Sequence, residues 1–416
     1  MRVQRPDLFL LLVIVLGIGF VFGLAWGNHQ FVMANPGGAD FLPRWAAVRN
    51  ALTSNASPYS PETTQMIQRV ANQQDVTGPN AFYYPYYALL VFLPFGLVRD
   101  YLWARAVWMT ALEVTLLLIA VGSVQLARWR PQGGLLVLVL ALAVTWYPGV
   151  RAVLDGNAVV FGTLFLVIAL LLIKSGNFGP AGIFLALATF KPQVMILVFP
   201  FALYWAITKG HGSLVASSLT TLAVLLGASF ALEPGWFMDF LRQLIAYGQE
   251  SGWHTPGAIF AGWWPEFGAG LGWVLTAILI VAVAIEWFRA SGKEFRWFYW
   301  TVCFILLATT LVGIPTRPAN YVVLFPGLVL VFASWNKRFT NVGVGMVVAA
   351  AALVAIGLWA IFARTMDGAV WWLAAEAPVM YFPVPLFLFA VLYWVRWWAI
   401  RPQKTFIEQM KIIEKL

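Results

Sequence analysis

The sequence predicts an all-α polytopic membrane protein, and three observations carry that expectation. Hydrophobic residues fill 61% of the 416 positions and charged residues only 10%, against roughly 45–50% and 25% in soluble domains. Apolar runs approaching the length of a bilayer crossing recur along the chain, and the mean hydropathy is +0.80. Lysine and arginine fall between these runs rather than in one patch. Together these exclude a soluble enzyme and a disordered chain. The net charge of +9 does not mark a nucleic-acid binder, because the charges flank apolar segments. The lone cysteine, Cys303, excludes an intrachain disulfide and any cysteine-built metal cage.

The first run, Leu8 to Trp26, follows Arg2 and Arg5. It is long and no small-residue cleavage site closes it, so it reads as a retained signal-anchor rather than a removed signal peptide. Further runs lie at about 102–127, 134–149, 158–173, 178–190, 193–208, 213–231, 266–288, 297–312, 320–335, 342–362 and 383–399, giving an expectation of about twelve spans. Several are shorter than the roughly 20 residues a straight crossing needs, which predicts broken or re-entrant segments.

The segment 86–98 is apolar but short, and Pro85, Pro94 and Arg99-Asp100 bracket it. Basic residues decide its role. If it does not span, 16 of the 26 lysines and arginines fall on the side of the termini, as the positive-inside rule requires. It therefore reads as a short helix in the outer leaflet, with both termini cytoplasmic. The outside face then holds long loops at 27–101, 232–265 and 363–382. It also holds three short turns, at 151–157, 191–193 and 315–320. Each short turn carries a cation at or near membrane depth, where charge is costly and functional by default.

Within the first loop, Phe41, Trp45, Val48 and Leu52 recur at helical spacing and predict a helix on the membrane surface. Ser60 before Pro61 reads as the N-cap of a second helix, with Met66 and Val70 continuing its apolar stripe. Residues 73–80 read as a polar loop, and 82–87 as an aromatic belt. Asp40 has two compatible readings: N-cap of the helix starting at Phe41, or general base at the water–membrane boundary, held ionised by that helix terminus. A sequon at Asn55-Ala56-Ser57 carries no weight, since such matches are common.

The order of motifs is distinctive. Gly37-Gly38-Ala39-Asp40-Phe41-Leu42-Pro43-Arg44-Trp45 follows the first span. Ser57-Pro58-Tyr59-Ser60-Pro61 and Tyr83-Tyr84-Pro85-Tyr86-Tyr87 come next, then Leu154-Asp155-Gly156-Asn157-Ala158 and Thr189-Phe190-Lys191-Pro192-Gln193. This arrangement resembles glycosyltransferase family 87, over roughly residues 8–210. The resemblance implies a GT-C fold as one integral membrane domain over 1–416, with juxtamembrane helices in the first extracytoplasmic loop. It implies an inverting transferase that uses a polyprenyl-phosphate-linked sugar, with mannose the best guess and a glycolipid or glycan as acceptor, at the outer face of the cell membrane. By the same resemblance Asp40 stands where the family has its general base. Here 155–157 reads Asp-Gly-Asn, where many relatives have Gly-Gln after a different residue, and tyrosines replace a more usual double proline in 83–87. These differences bear on sugar and acceptor.

The residues suit that chemistry. Transfer from a lipid phosphate needs a base for the incoming hydroxyl and cations for the departing phosphate. No D-x-D motif is present, so no metal is indicated, and no other cofactor is called for. Lys191, Arg317 and Arg151 are the candidates for the phosphate; the competing readings are snorkelling at a helix end for Lys191 and a structural turn for Arg317. His254 could orient a sugar or phosphate, or pack on Trp253 or Trp263. Asp155 could bind sugar hydroxyls or pair with Arg151 four residues earlier, and the pair is favoured slightly. Asn157 in the same turn and Arg44 beside Asp40 complete the substrate-binding candidates. Glu113, inside the second span, has only Arg105 as an obvious partner.

The chief rival is a transporter or flippase of a lipid-linked sugar, which twelve spans and buried charges would also suit. Against it stand the absence of a clear internal repeat and the long, structured first loop. A lipid-linked polysaccharide ligase or polymerase would usually carry its large loop later in the chain. An inactive relative would leave Asp40 as a cap only.

Overall fold

The computed structural model describes residues 8–35, 37–74, 76, 81–250, 255–366 and 374–401, and among them the secondary structure is helical throughout. Every one of the twelve apolar runs contains helix. Length separates them. Six helices are long and apolar enough to cross a membrane, or seven if the bent pair Gly133–Thr145 and Tyr147–Asp155 counts as one span. The expected twelve crossings are therefore not reached by length. Val159–Lys174, Phe178–Ala188 and Phe295–Thr309 are apolar but too short, since a straight crossing needs about 20 residues at 1.5 Å rise. Two expected spans, 320–335 and 342–362, lie within one long helical stretch, Phe325–Thr365, broken at Thr340 by a left-handed φ of 47°.

The chain divides into two compact units. One comprises Met1–Thr115, Arg151–Ala158 and Leu226–Glu250; the other comprises Leu116–Val150, Val159–Leu225 and Ser251–Leu416.

In the first unit, helix Leu8–Ala34 is apolar on all sides, and its spanning part is only 6% buried. Protein contacts gather at its C-terminal end. Asn28 donates from Nδ2 to Thr110 Oγ1 at 2.9 Å and to Glu113 Oε2 at 2.8 Å, and His29 stacks on Trp103. Glu113 thus has Asn28 as its partner, not Arg105. The next helix, Leu42–Ser54, is not a surface helix. It buries Arg44, Trp45, Val48 and Asn50, while Leu52 is left exposed. Asn50 turns inward because Thr63 accepts its side-chain amide at 2.7 Å. Helix Pro61–Gln73 starts as predicted, with Ser60 Oγ accepting from the Thr63 amide. Its buried stripe is Thr63, Ile67 and Ala71, one residue off Met66 and Val70. The segment 86–98 forms a 3-10 turn and the helix Leu89–Gly96, a short helix as expected. It lies tight against Leu42–Ser54: a Cβ at Gly96 would come within 2.2 Å of Val48.

The second unit is held by buried pairings its sequence did not announce. Helix Phe295–Thr309 is buried along nearly its whole length. Glu286 is 1% exposed and accepts from Arg396 at 2.8 Å and Arg289 at 3.3 Å, tying helix Gly268–Ala290 to helix Pro383–Ile400. Removing either partner of such a buried pair costs about 3–5 kcal/mol. Gly182 lets Phe178–Ala188 touch Gly212–Leu232, where any Cβ would meet Ser217 Oγ at 2.0 Å.

Gly156 is the local key to the first unit. Helix Tyr147–Asp155 ends in a Schellman turn: Asn157 N–H donates to Ala152 at 2.7 Å, and Gly156 takes a φ of 74°. A Cβ at Gly156 would sit 2.5 Å from Phe41 Cβ. Gly156→Ala is expected to destabilise by about 2–4 kcal/mol, the left-handed cost plus overpacking. Gly176→Ala, at a similar φ of 82° but with open space around it, should lose only about 1–2 kcal/mol. Thermal melting of the two variants in detergent checks this, and equal melting temperatures would rule out crowding against Phe41.

Candidate active site

Asp40 lies on a loop whose path glycine permits. Gly37 and Gly38 have φ of 149° and 78°, and a Cβ on either would stand 2.8 Å from the Arg105 guanidinium group. The bare backbone therefore wraps directly over Arg105 and Tyr101. Tyr101 Oη donates to Gly37 O at 3.0 Å. Arg105 Nη1 donates to Asn35 O at 2.9 Å, and its Nη2 donates to Leu154 O at 3.5 Å. One buried arginine thus joins the end of the first helix to the 154–157 turn.

The same two segments meet through their backbones: the Asp40 amide donates to the Asp155 carbonyl at 2.9 Å. Phe41, fully buried, stacks on Trp108 at 5.2 Å between ring centres, and Trp108 Nε1 donates to Gly156 O at 3.0 Å. Asp40 is not an N-cap. The helix begins at Leu42, its N-cap position is Phe41, and no side chain caps it. The amides of Phe41 and Leu42 both turn back to Gly38 O instead.

The Asp40 carboxylate faces Arg44, one turn on, at 3.9 Å, with side chains 13% and 10% exposed. Arg44 Nη2 donates to Tyr84 Oη at 3.0 Å, and its guanidinium lies 4.4 Å from the centre of the Tyr84 ring. At that range Arg44 balances the carboxylate's charge without taking up its hydrogen-bonding positions. Asp155 pairs with Arg151 at 3.2 Å, both largely buried. Asn157 is buried beside them.

The aromatic belt frames this cluster. Tyr59 Oη donates to Tyr84 O at 2.7 Å. Burial pushes the Tyr59 phenol far above its ordinary range, helped by Tyr86 and by the carboxylates of Asp239 and Glu233. Those two acids bring the 226–250 segment up to the belt, a meeting that no sequence signal announced. Tyr84, Tyr101 and Arg105 were likewise missed as site-builders. The Gly37-Gly38 pair was the available signal, since two adjacent glycines mark a close backbone approach.

In the second unit, Lys191 is 4% exposed and stands at the N-cap position before Pro192–Met195. It lines a small cavity of about 20 Å³ with Gln193, Thr309, Thr310, Thr316 and Asn320, room for about one water. Asn320 Nδ2 donates to Thr316 Oγ1 at 3.3 Å. Arg317 lies in the same turn, half-buried, just before the 3-10 helix Pro318–Leu324. The structure thus brings Lys191 to the 315–320 turn. His254 lies outside the described residues. Among those residues no group of three or more His, Cys, Asp or Glu converges as a metal site would.

The sequence profile of glycosyltransferase family 87 matches residues 82–315. No curated protein and no solved structure matches the chain. The matched stretch contains Tyr84, Arg105, the Arg151–Asp155 turn and Lys191, and it begins beyond Asp40 and Arg44. It extends the resemblance past residue 210 and takes in helix Phe295–Thr309. Since it covers more than half the chain, the protein belongs to glycosyltransferase family 87 and is a membrane glycosyltransferase.

Proposed function

We propose that the chain is an inverting transferase of the GT-C kind. It moves a hexose, mannose by preference, from a polyprenyl phosphate to a glycolipid or glycan acceptor at the outer face of the cell membrane, with Asp40 as general base. The observation that carries this reading is the Asp40 carboxylate itself. It is mostly buried and fixed through its own backbone amide, and it faces Arg44 without being consumed by a cap or a close ion pair. A side chain that serves only structure has its hydrogen-bonding capacity filled.

In this reading the acceptor oxygen bonds to the anomeric carbon while Asp40 takes the hydroxyl proton. The bond from that carbon to the phosphate oxygen breaks, its electron pair stays on the phosphate, and the polyprenyl phosphate leaves with one more negative charge. Attack opposite the leaving group inverts the anomeric centre. Cations answer the new charge: Lys191 and Arg317 are proposed for the phosphate, with Arg151 behind Asp155. Arg44, Asp155 and Asn157 are proposed for sugar or acceptor hydroxyls, together with His254.

Asp40→Asn keeps the shape and the backbone amide but cannot take a proton. Turnover of a polyprenyl-phosphate sugar should fall by about 100-fold or more, with melting temperature unchanged. An asparagine variant that turns over normally would remove Asp40 from the chemistry.

Lys191→Gln should lower kcat/KM for the donor by about 10-fold or more, the worth of a charge-assisted contact. Lys191→Arg should recover part of it. If both variants fold and work like the wild type, the phosphate role passes to another cation.

The proposed sidedness follows from the basic loops. Cysteines placed at Ser54 and Gln132, both exposed, should react with an impermeant maleimide only from outside and only from inside, respectively. The native Cys303 is buried and adds little background. Outside labelling at 132 would reverse the assignment of every later loop.

A further inference from the structure

The second unit contains a cavity of about 560 Å³, within the range of small-molecule sites and far larger than the one at Lys191. Five cations line it: Arg128, Arg296, Lys337, Arg338 and Arg401. They come from four stretches widely separated in the chain: the end of Tyr101–Leu126, the start of Phe295–Thr309, the middle of Phe325–Thr365 and the end of Pro383–Ile400. Among the described residues no aspartate or glutamate lines it, and none of the five cations is in an ion pair with an acid.

The cations are held in place by neutral groups. Lys337 Nζ donates to the carbonyls of Ala127 and Arg128 at 3.0 and 2.8 Å. Arg296 Nη1 donates to Arg401 O at 2.6 Å. Arg338 lies over the Trp398 ring. Lys337, Arg296 and Arg338 are thus anchored by carbonyls and an indole rather than by an acid. Gathering five like charges is unfavourable unless an anion offsets them, so the arrangement is built around one.

Leu126, Leu330 and Ala333 form an apolar wall, and the indole of Trp397, 56% exposed, stands at the rim. A site lined by cations and by apolar side chains, with a tryptophan among them, matches a headgroup with its acyl chains attached. It is also separate from the Lys191 cavity. Phe295, Arg296 and Tyr299 line one and Leu306, Thr309 and Thr310 line the other, at opposite ends of one helix. At 1.5 Å per residue that places them roughly 15–20 Å apart.

We propose that this cavity binds the phosphate-bearing headgroup of an anionic membrane lipid. It is a second lipid site at the opposite end of helix Phe295–Thr309 from Lys191, and it stands whether or not the transfer reaction proposed above is correct. The rival is diffuse attraction, in which these cations serve only to orient loops.

Native mass spectrometry of the purified full chain with added phosphatidylglycerol or phosphatidylcholine tests it. Wild type should retain phosphatidylglycerol over phosphatidylcholine by about 10-fold or more, and Arg128→Gln with Arg338→Gln should abolish the preference. Both positions are exposed, so folding is spared; a size-exclusion profile confirms it. Arg130→Gln with Arg364→Gln, equally exposed and outside the cavity, removes the same charge and should leave the preference intact. Equal losses in the two double variants would overturn the site in favour of diffuse charge. Displacement of the lipid by millimolar inorganic phosphate would assign the cavity to a soluble anion and overturn the lipid. Wild type without a preference would end the proposal.

Discussion

The hydrogen bond from the Asp40 amide to the Asp155 carbonyl joins two segments far apart in the chain, and the site of the first unit depends on it. A backbone contact this close leaves no space for side chains between the strands of chain that make it. Gly37 and Gly38, passing over Arg105 and Tyr101, and Gly156, against Phe41, give these segments the room to meet, each at a φ that favours glycine. Arg105 then fills the space beneath the loop, and Phe41 with Trp108 closes the other side. The carboxylate of Asp40 is left as the group that these contacts position without engaging.

Charge inside an apolar protein is the second organising constraint. Three acids in the two units have a specific partner: Glu113 has Asn28, Asp155 has Arg151, and Glu286 has two arginines. Arg105 bonds through its two terminal nitrogens to carbonyls rather than to an acid, beneath the Asp40 loop. The cost of burying these groups is several kcal/mol each when unpaired, so these partners fix which helices meet.

Much of this was legible in the sequence. Helix content, the short character of 86–98, the Ser60 cap and the Arg151–Asp155 pair follow from local rules of spacing and capping. So does the family, through motif order. What was not legible depends on contacts between distant residues. The helix at Leu42 looked like a surface helix because its stripe was read from Phe41, Trp45, Val48 and Leu52. Phe41, Trp45 and Val48 are buried, but Asn50 is buried as well, on Thr63, a partner no periodicity reveals. Asp40 looked like a cap by composition, but the turn back to Gly38 had already satisfied the helix start. The span count is a separate matter: the runs at 158–173 and 178–190 fold as helices of 16 and 11 residues, apolar but shorter than a straight crossing. Within the site, Lys191 and the 315–320 turn were both legible as cations at outer span ends, and the fold brings Lys191 and that turn to one cavity.

The first helix has its own consequence. Almost none of its spanning surface touches protein, and among the described residues its contacts gather near its C-terminal end, at Asn28, His29 and Asn35. Lipid, not protein, therefore sets its tilt. An apolar stretch longer than the hydrocarbon layer leans to fit it, and leans less in a thicker one. The loop bearing Asp40 follows that helix directly. Lipid composition is in this sense connected to the loop through that helix.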